Sequence, residues 1–243
     1  LKAMAALLGI PPGKGDERPL IIASGVAASQ KTLSPEAFAG ATVDLKKGSR
    51  FPIQEVIEKA IWAGYSRDPG VEVPGVISHR GGILDLFSPH QELPVRVEFF
   101  GDAIESLRLF EPISQRSVEM AEQALLIPCR EALLPRDSSQ REKIVSTLDI
   151  EGCGPHHQER LKQELEHLRM ALPFEGDDFY APLFHGSSLL DYLPKDGLLL
   201  VDGLESIKSR WEELDRQANE LRHSQIQGGE LPPNFPMPYL AWK

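Results

Sequence analysis

The spacing of apolar residues changes several times along the chain, and each change predicts a different element. From Leu1 to about Gly40 the pattern reads as a short helix, then a Pro/Gly loop (Pro11-Pro12-Gly13-Lys14-Gly15-Asp16), then a strand over Pro19–Ala23. Ser34-Pro35-Glu36-Ala37 then has the form of a helix start, with Ser as cap, Pro at the first helical position and Glu in the first turn. Val43–Leu45 is a brief strand. Pro52 opens a helix whose Ile53, Val56, Ile57, Ala60 and Ile61 form one stripe, stopped by Gly64.

Beyond Tyr65 the period becomes two. Strands are predicted over Val71–Val73, Val76–Arg80, Ile83–Phe87, Val95–Phe100 and Ile104–Phe110, with a further one over Leu125–Ile127. Gly81-Gly82 is a hairpin turn signal and Gly101-Asp102 a weaker one. From Arg130 to Leu189 helix dominates: Gln158–Leu172 follows the breaker Gly154-Pro155 and has Leu161, Leu165 and Leu168 as its seam. Leu198–Val201 reads as a buried strand between Asp196-Gly197 and Asp202-Gly203. After it comes a long amphipathic helix marked by Leu204, Ile207, Trp211, Leu214, Ala218 and Leu221, on which Glu212 and Arg216 are spaced to pair. The Pro-rich end from Leu231 is irregular, and no internal repeat is present.

Composition narrows the function classes. Apolar residues at 41% and charged residues at 26% describe a globular chain and exclude dominant disorder. No apolar run approaches the ~20 residues of a membrane span. Two cysteines, Cys129 and Cys153, make no disulfide framework and suit a reducing, cytoplasmic setting. With 26 basic against 36 acidic residues the net charge is −10, which repels a phosphate backbone. Residues 1–50 carry seven Lys and Arg against four Asp and Glu, so local DNA contact there is the one nucleic-acid reading the charge allows. The start at Leu1-Lys2-Ala3, without an initiator Met, reads as a piece cut from a longer protein.

Motifs for catalysis are weak. Gly9-Ile10-Pro11-Pro12-Gly13-Lys14-Gly15 has three residues between its first two glycines where a phosphate loop needs four. Two of those three are prolines, which have no amide donor, and Gly15 stands where a magnesium-binding Ser or Thr belongs. Cys153, His156 and His157 lack the second ligand pair of a structural zinc site, and His167 is offset from them along the helix. No nucleophile elbow accompanies the seven histidines. Asp177-Asp178 reads as solvated surface. Asp202 ends an apolar run as a magnesium-anchoring carboxylate would, but Gly203 follows instead of a water-polarising Glu, so an Asp-Gly turn with Asp202 capping the next helix is the reading. No catalytic residue, metal ligand or cofactor is therefore assigned to this stretch.

Contact chemistry is better marked. In Val95-Arg96-Val97-Glu98-Phe99-Phe100, alternation buries Val95, Val97 and Phe99 and turns Arg96, Glu98 and Phe100 outward. The run Val76–Arg80 adds Arg80 and Ser78 on a common face. Two arginines, an acid and an exposed aromatic have the composition of a protein-binding hot spot. The competing reading is a wet sheet face on which Arg96 and Glu98 are cross-strand partners and Phe100 is tucked into a loop.

A family resemblance enters with these same residues. Gly64-Tyr65, then Gly75…Arg80-Gly81-Gly82-Ile83-Leu84-Asp85-Leu86-Phe87, then Pro94-Val95-Arg96-Val97-Glu98-Phe99-Phe100-Gly101-Asp102…Ile104-Glu105-Ser106-Leu107-Arg108 resembles the UvrB family. It is more similar still to the UvrB-like N-terminal module of transcription-repair coupling factors (Mfd). Leu109-Phe110-Glu111-Pro112…Ser114-Gln115-Arg116-Ser117, Pro182-Leu183-Phe184 and Leu189-Leu190-Asp191-Tyr192-Leu193-Pro194 fit the latter. The resemblance implies an α/β fold class: fragments of a degenerate helicase-like (RecA-type) α/β domain flank an inserted small α+β strand domain and a mostly helical segment. The implied boundaries are 1–42 and 190–243 for the α/β domain, 43–128 for the α+β domain and 129–189 for the helical segment.

The function implied is recruitment of UvrA, with Arg80, Arg96, Glu98 and Phe100 as the contacting residues by position. Arg96→Ala is then expected to cost about 2 kcal/mol of binding. RNA polymerase and double-stranded DNA are implied partners of the full-length protein, an ATP-dependent DNA translocase, in which a distant domain can mask the same face. UvrB proteins carry an arginine two positions before Arg80, where this chain has Ser78, and Asp-Glu where it has Asp202-Gly203. The latter departure implies no ATPase in this stretch. The alternative is a fragment of UvrB, an ATP-dependent damage-verifying subunit, although no counterpart of its aromatic-rich damage-inserting hairpin is found.

Overall fold

Alternating segments can satisfy their backbone groups only by pairing, and most of the predicted strands do so. The computed structural model describes residues 1–10 and 20–242; the Pro/Gly loop with Lys14, and Pro19, lie outside the described residues. In chain order the elements begin α1 (Lys2–Leu7), α2 (Gly25–Ser29), α3 (Pro35–Ala41), β1 (Val43–Lys46), α4 (Ile53–Trp62), β2 (Ser66–Arg67), β3 (Val76–Arg80) and β4 (Ile83–Leu86). They continue with β5 (Val95–Phe100), β6 (Ala103–Phe110), β7 (Ser117–Ala121), β8 (Gln123–Leu126), α5 (Ser138–Val145), α6 (Pro155–Met170), α7 (Ala181–Phe184) and α8 (Leu204–Gln227). Two compact units result: Leu1–Ile21 with Pro35–Leu133, and Ile22–Ser34 with Leu134–Lys243.

The first unit is built on a six-stranded sheet of order β2-β3-β4-β5-β6-β7, antiparallel except for the β2–β3 pair, and a two-stranded sheet β1-β8. Its core lies under α4. Val56, Ile57 and Ala60 of that helix meet Leu84 and Leu86 of β4, Val95 and Val97 of β5 and Leu107 of β6, all buried. Each fully buried aliphatic contributes roughly 1.5–3 kcal/mol. Ile61, placed on the same stripe by sequence, is exposed instead; it sits at the edge of the stripe, where the helix has turned away from the sheet. Val71–Val73 is not a strand. Asp68 accepts from the Gly70 amide in a local turn, and Pro74 removes a ladder donor, so only Val71 is buried.

The second unit packs α5 and α6 together, and the seam Leu161, Leu165 and Leu168 is buried as its spacing requires. The irregular Pro-rich end is part of this core: Leu231 and Phe235 are buried in it, and Phe235 stacks on Phe179 at 4.7 Å between ring centres. Arg141 is buried as well, its guanidinium donating to the carbonyls of Pro135, Arg136 and Arg169.

Two predicted strands are corrected. Leu198–Val201 forms no strand, and its four residues are between 54% and 80% exposed. Residues 20–23 likewise join no ladder. An apolar run becomes a strand only where a neighbouring strand receives its amides and carbonyls, and no strand among the described residues lies beside either segment. At the start of α8, Gly203 with φ +67° is the capping residue and no side chain caps the helix, so Asp202 does not have that role. Arg216 pairs with Glu213 at 2.8 Å and Glu220 at 2.7 Å instead of Glu212, because its forked head reaches both neighbours on its own face.

Candidate protein-binding face

The six-stranded sheet has one face on α4 and one turned away from it, and the residues singled out by alternation lie on the second. Register makes its rows explicit. Ser78, Asp85, Arg96, Arg108 and Met120 sit side by side across β3 to β7, and Arg80, Ile83, Glu98 and Ser106 form the next row. Between Glu98 and Phe99 the register shifts by one residue, with Glu105 of β6 the extra residue. Because the bulge is on β6, the alternation of β5 survives: Val95, Val97 and Phe99 are buried and Phe100 is 80% exposed.

The two ends of this face differ. At one end a small apolar cluster of Val71, Val76, Phe87 and Phe110 covers the sheet. Arg96 lies against it, with its guanidinium carbon 4.9 Å from the centre of the Phe110 ring. Its fork is closed on Asp85, with Nε donating to Oδ1 at 2.7 Å and Nη2 to Oδ2 at 2.8 Å. Nη2 also reaches Gln115 Oε1 at 3.4 Å. The Arg96 side chain is 20% exposed and that of Asp85 2%. The hydrogen bond to Asp85 pushes the Arg96 guanidinium further above its ordinary range, against the opposing effect of burial.

At the other end two tight turns lie together, Gly81-Gly82 between β3 and β4 and Gly101-Asp102 between β5 and β6. The Phe99 amide donates to the Gly82 carbonyl at 2.7 Å. A Cβ on Gly82 would stand 2.7 Å from the Phe99 carbonyl oxygen, so only glycine permits this approach. Arg80 and Phe100, flanking those turns, are open to solvent. The Arg80 side chain is 62% exposed and makes one bond, Nη2 to Asp85 Oδ2 at 3.3 Å.

Glu98 stands between the two ends and is engaged by β6. It accepts from the Ser106 hydroxyl at 2.5 Å and from the Arg108 guanidinium. The Ser106 bond first, and Arg108 after it, hold its carboxyl below the ordinary range. Arg96 and Glu98 are therefore not each other's partners; each is paired one strand away, with Asp85 and Arg108. Sequence reasoning missed both of these residues. For Asp85 a signal existed, since Ile83-Leu84-Asp85-Leu86 alternates and sets Asp85 on the Arg96 face. For Arg108 the bulge at Glu105 hides it. Ser78 shares the face but is buried, donating to the Pro69 carbonyl at 3.2 Å.

Other chemistry is sparse. Burial pushes the Cys129 thiol up to about 12, which makes it inert as a nucleophile, and Cys153 is part of the helical core. Among the described residues no three His, Cys, Asp or Glu side chains are grouped to hold a metal ion, and no helix is long and apolar enough to cross a membrane.

The family described as the UvrB interaction domain matches residues 43–131, which contain both sheets. The transcription-repair-coupling factor of Myxococcus xanthus is 31% identical over 220 residues, 84% of this chain and 18% of that protein. That of Bacillus subtilis is 28% identical over 227 residues, 88% of this chain and 19% of the relative. UvrABC system protein B of Chlorobaculum tepidum is 29% identical over 221 residues, 83% of this chain and 31% of the relative. The chain thus spans between about a fifth and a third of the length of these relatives. Residues 43–131 match the UvrB interaction domain family, and the chain is similar along most of its length to transcription-repair-coupling factors and to UvrABC system protein B.

Proposed function

We propose that the chain is a UvrA-recruiting module of a transcription-repair coupling factor. Its chemistry is association: Arg80 offers a mostly free guanidinium and Phe100 an apolar anchor at the open end of the sheet. The observation that carries this reading is the exposure of Phe100, 80% open within a sheet whose other β5 aromatic, Phe99, is buried in the core. A large apolar side chain held outward on a paired strand, beside an arginine, fits a hot spot better than a solvated surface. Glu98 and Arg96 belong to the same face but act chiefly within it, each closed on a neighbour. In the full-length protein, RNA polymerase and double-stranded DNA are the further partners, the setting is cytoplasmic, and ATP-driven translocation resides in other parts of the chain.

The second reading, a fragment of UvrB, draws on a relative of nearly equal identity. Gly203 after Asp202 favours the first, because the position where a Glu would polarise water has no side chain. Titration of this chain with purified UvrA, with ATP hydrolysis followed in parallel for the chain alone, tests both. Saturable binding without ATP turnover supports the proposal. No complex at tens of micromolar contradicts it, and turnover by the chain alone would favour UvrB.

A further inference from the structure

The two arginines of the face have different duties, and one carboxylate divides them. Asp85 sits at the floor of the sheet face, 2% exposed, and accepts three guanidinium N–H groups from two directions. Arg96 spends both the Nε and Nη2 sides of its fork there, with Phe110 under its plane and Gln115 at its edge. Gln115 is itself held in a left-handed backbone conformation, φ +59°, with its side-chain Nε2 donating to the Pro112 carbonyl at 2.5 Å. Arg80 spends one of its five donors on the same Asp85 and keeps the rest in solvent. In charge, Asp85 and Arg96 cancel and Glu98 and Arg108 cancel, so these five residues leave one positive charge, that of Arg80, at the open end.

We infer that Asp85 is the positioning residue of the docking face: it locks Arg96 as an internal strut and steers Arg80 to meet an acidic group of the partner next to Phe100. This rests on the UvrA-binding reading of the face. It assigns Arg96 to support and Arg80 to recognition, and it states the chemistry of the complementary surface as a carboxylate bordering an apolar recess. An incoming carboxylate can take the open side of the Arg80 fork without displacing Asp85, because the tether uses a single nitrogen.

The test is a double-mutant cycle on Asp85 and Arg80, read as affinity for purified UvrA, with the unfolding midpoint of each variant measured alongside. Arg80→Ala in the otherwise unchanged chain is expected to weaken binding at least tenfold. In the Asp85→Asn background the same change is expected to cost less than threefold, because Arg80 has already lost its direction. Asp85→Glu keeps the charge but lengthens the arm, and the cost of Arg80→Ala is expected to fall in between. An equal tenfold cost in all three backgrounds means that Asp85 does not position Arg80 and overturns the inference. If neither Asp85 variant is folded at the assay temperature, Asp85 is only structural and the inference is likewise wrong. Failure of the unchanged chain to bind UvrA is seen separately, in the first titration, and removes the reading on which the inference rests.

Discussion

Arg80 and Arg96 lie on the same face of one sheet, and their surroundings set them apart. Arg96 stands over Phe110 with its fork closed on a buried carboxylate, whereas Arg80 stands beside a two-glycine turn with most of its head in water. A guanidinium at the packed end is a stabilising element, since its removal would strand a charge inside the protein. A guanidinium at the open end does little for the fold and is available to a partner. Side-chain type marks both as interface candidates; only neighbours separate the two roles. Composition alone therefore overstates a binding site by including the residues that hold it in place.

The largest effect expected from this contrast is on stability. Arg96→Ala leaves Asp85 buried without its bidentate partner, which should destabilise the chain by about 3–5 kcal/mol in denaturant titration. A loss below 1 kcal/mol would show that Asp85 is well solvated and that the packed end is not packed. The binding defect expected of this variant from sequence is then secondary to its folding defect.

The packed end also carries a pH signature. Tyr65 donates its one hydroxyl hydrogen to the Ile127 carbonyl at 2.9 Å and shares a hydrogen bond with the Ser88 hydroxyl at 3.0 Å, while His90 shares one with Ser88 at 3.0 Å. Burial first, and Lys2 after it, lower the His90 pKa from 6.5 to about 4. The unfolded chain therefore binds a proton between pH 6.5 and 4 that the folded chain refuses, so stability is complete above about pH 6.5 and declines as pH falls toward 4. The decline is expected to reach roughly 3 kcal/mol at about 1.4 kcal/mol per pKa unit. Denaturant titrations at pH 7 and pH 4.5 on the chain and on His90→Gln measure it; an identical decline in the variant would assign the effect to other groups.

At the open end the expected pattern is reversed. Phe100→Ala should reduce UvrA affinity by about 2 kcal/mol, some thirtyfold, with little change in unfolding midpoint. Arg80→Ala should alter folding stability by less than about 0.5 kcal/mol, as is usual for exposed side chains. A stability loss in either that rivals Arg96→Ala would erase the distinction between the two ends.

Local signals carried the strands of this sheet into view. Alternation in Val95–Phe100 and the paired glycines at 81 and 82 act over two to six residues and need no knowledge of the rest of the chain. The seam of α6 was legible for the same reason. What escaped depended on distant neighbours. Pairing of Arg96 with Asp85 follows from the β4–β5 register, and β7 (Ser117–Ala121) alternates only Val118 and Met120 with polar neighbours, both exposed, a signal too short to stand out in the sequence. Burial of Leu231 and Phe235 depends on helices some 60 to 90 residues earlier. Leu198–Val201 illustrates the converse, in which an apolar run announces burial and no strand among the described residues stands beside it to provide any.

Amide hydrogen exchange of this chain with and without saturating UvrA reports where the partner sits on the sheet. Added protection is expected at residues 79–83 and 98–103, with residues 84–96 and α6 unchanged. Protection confined to the helical unit, or to the Phe87–Phe110 end of the sheet with the two turns left open, would contradict it.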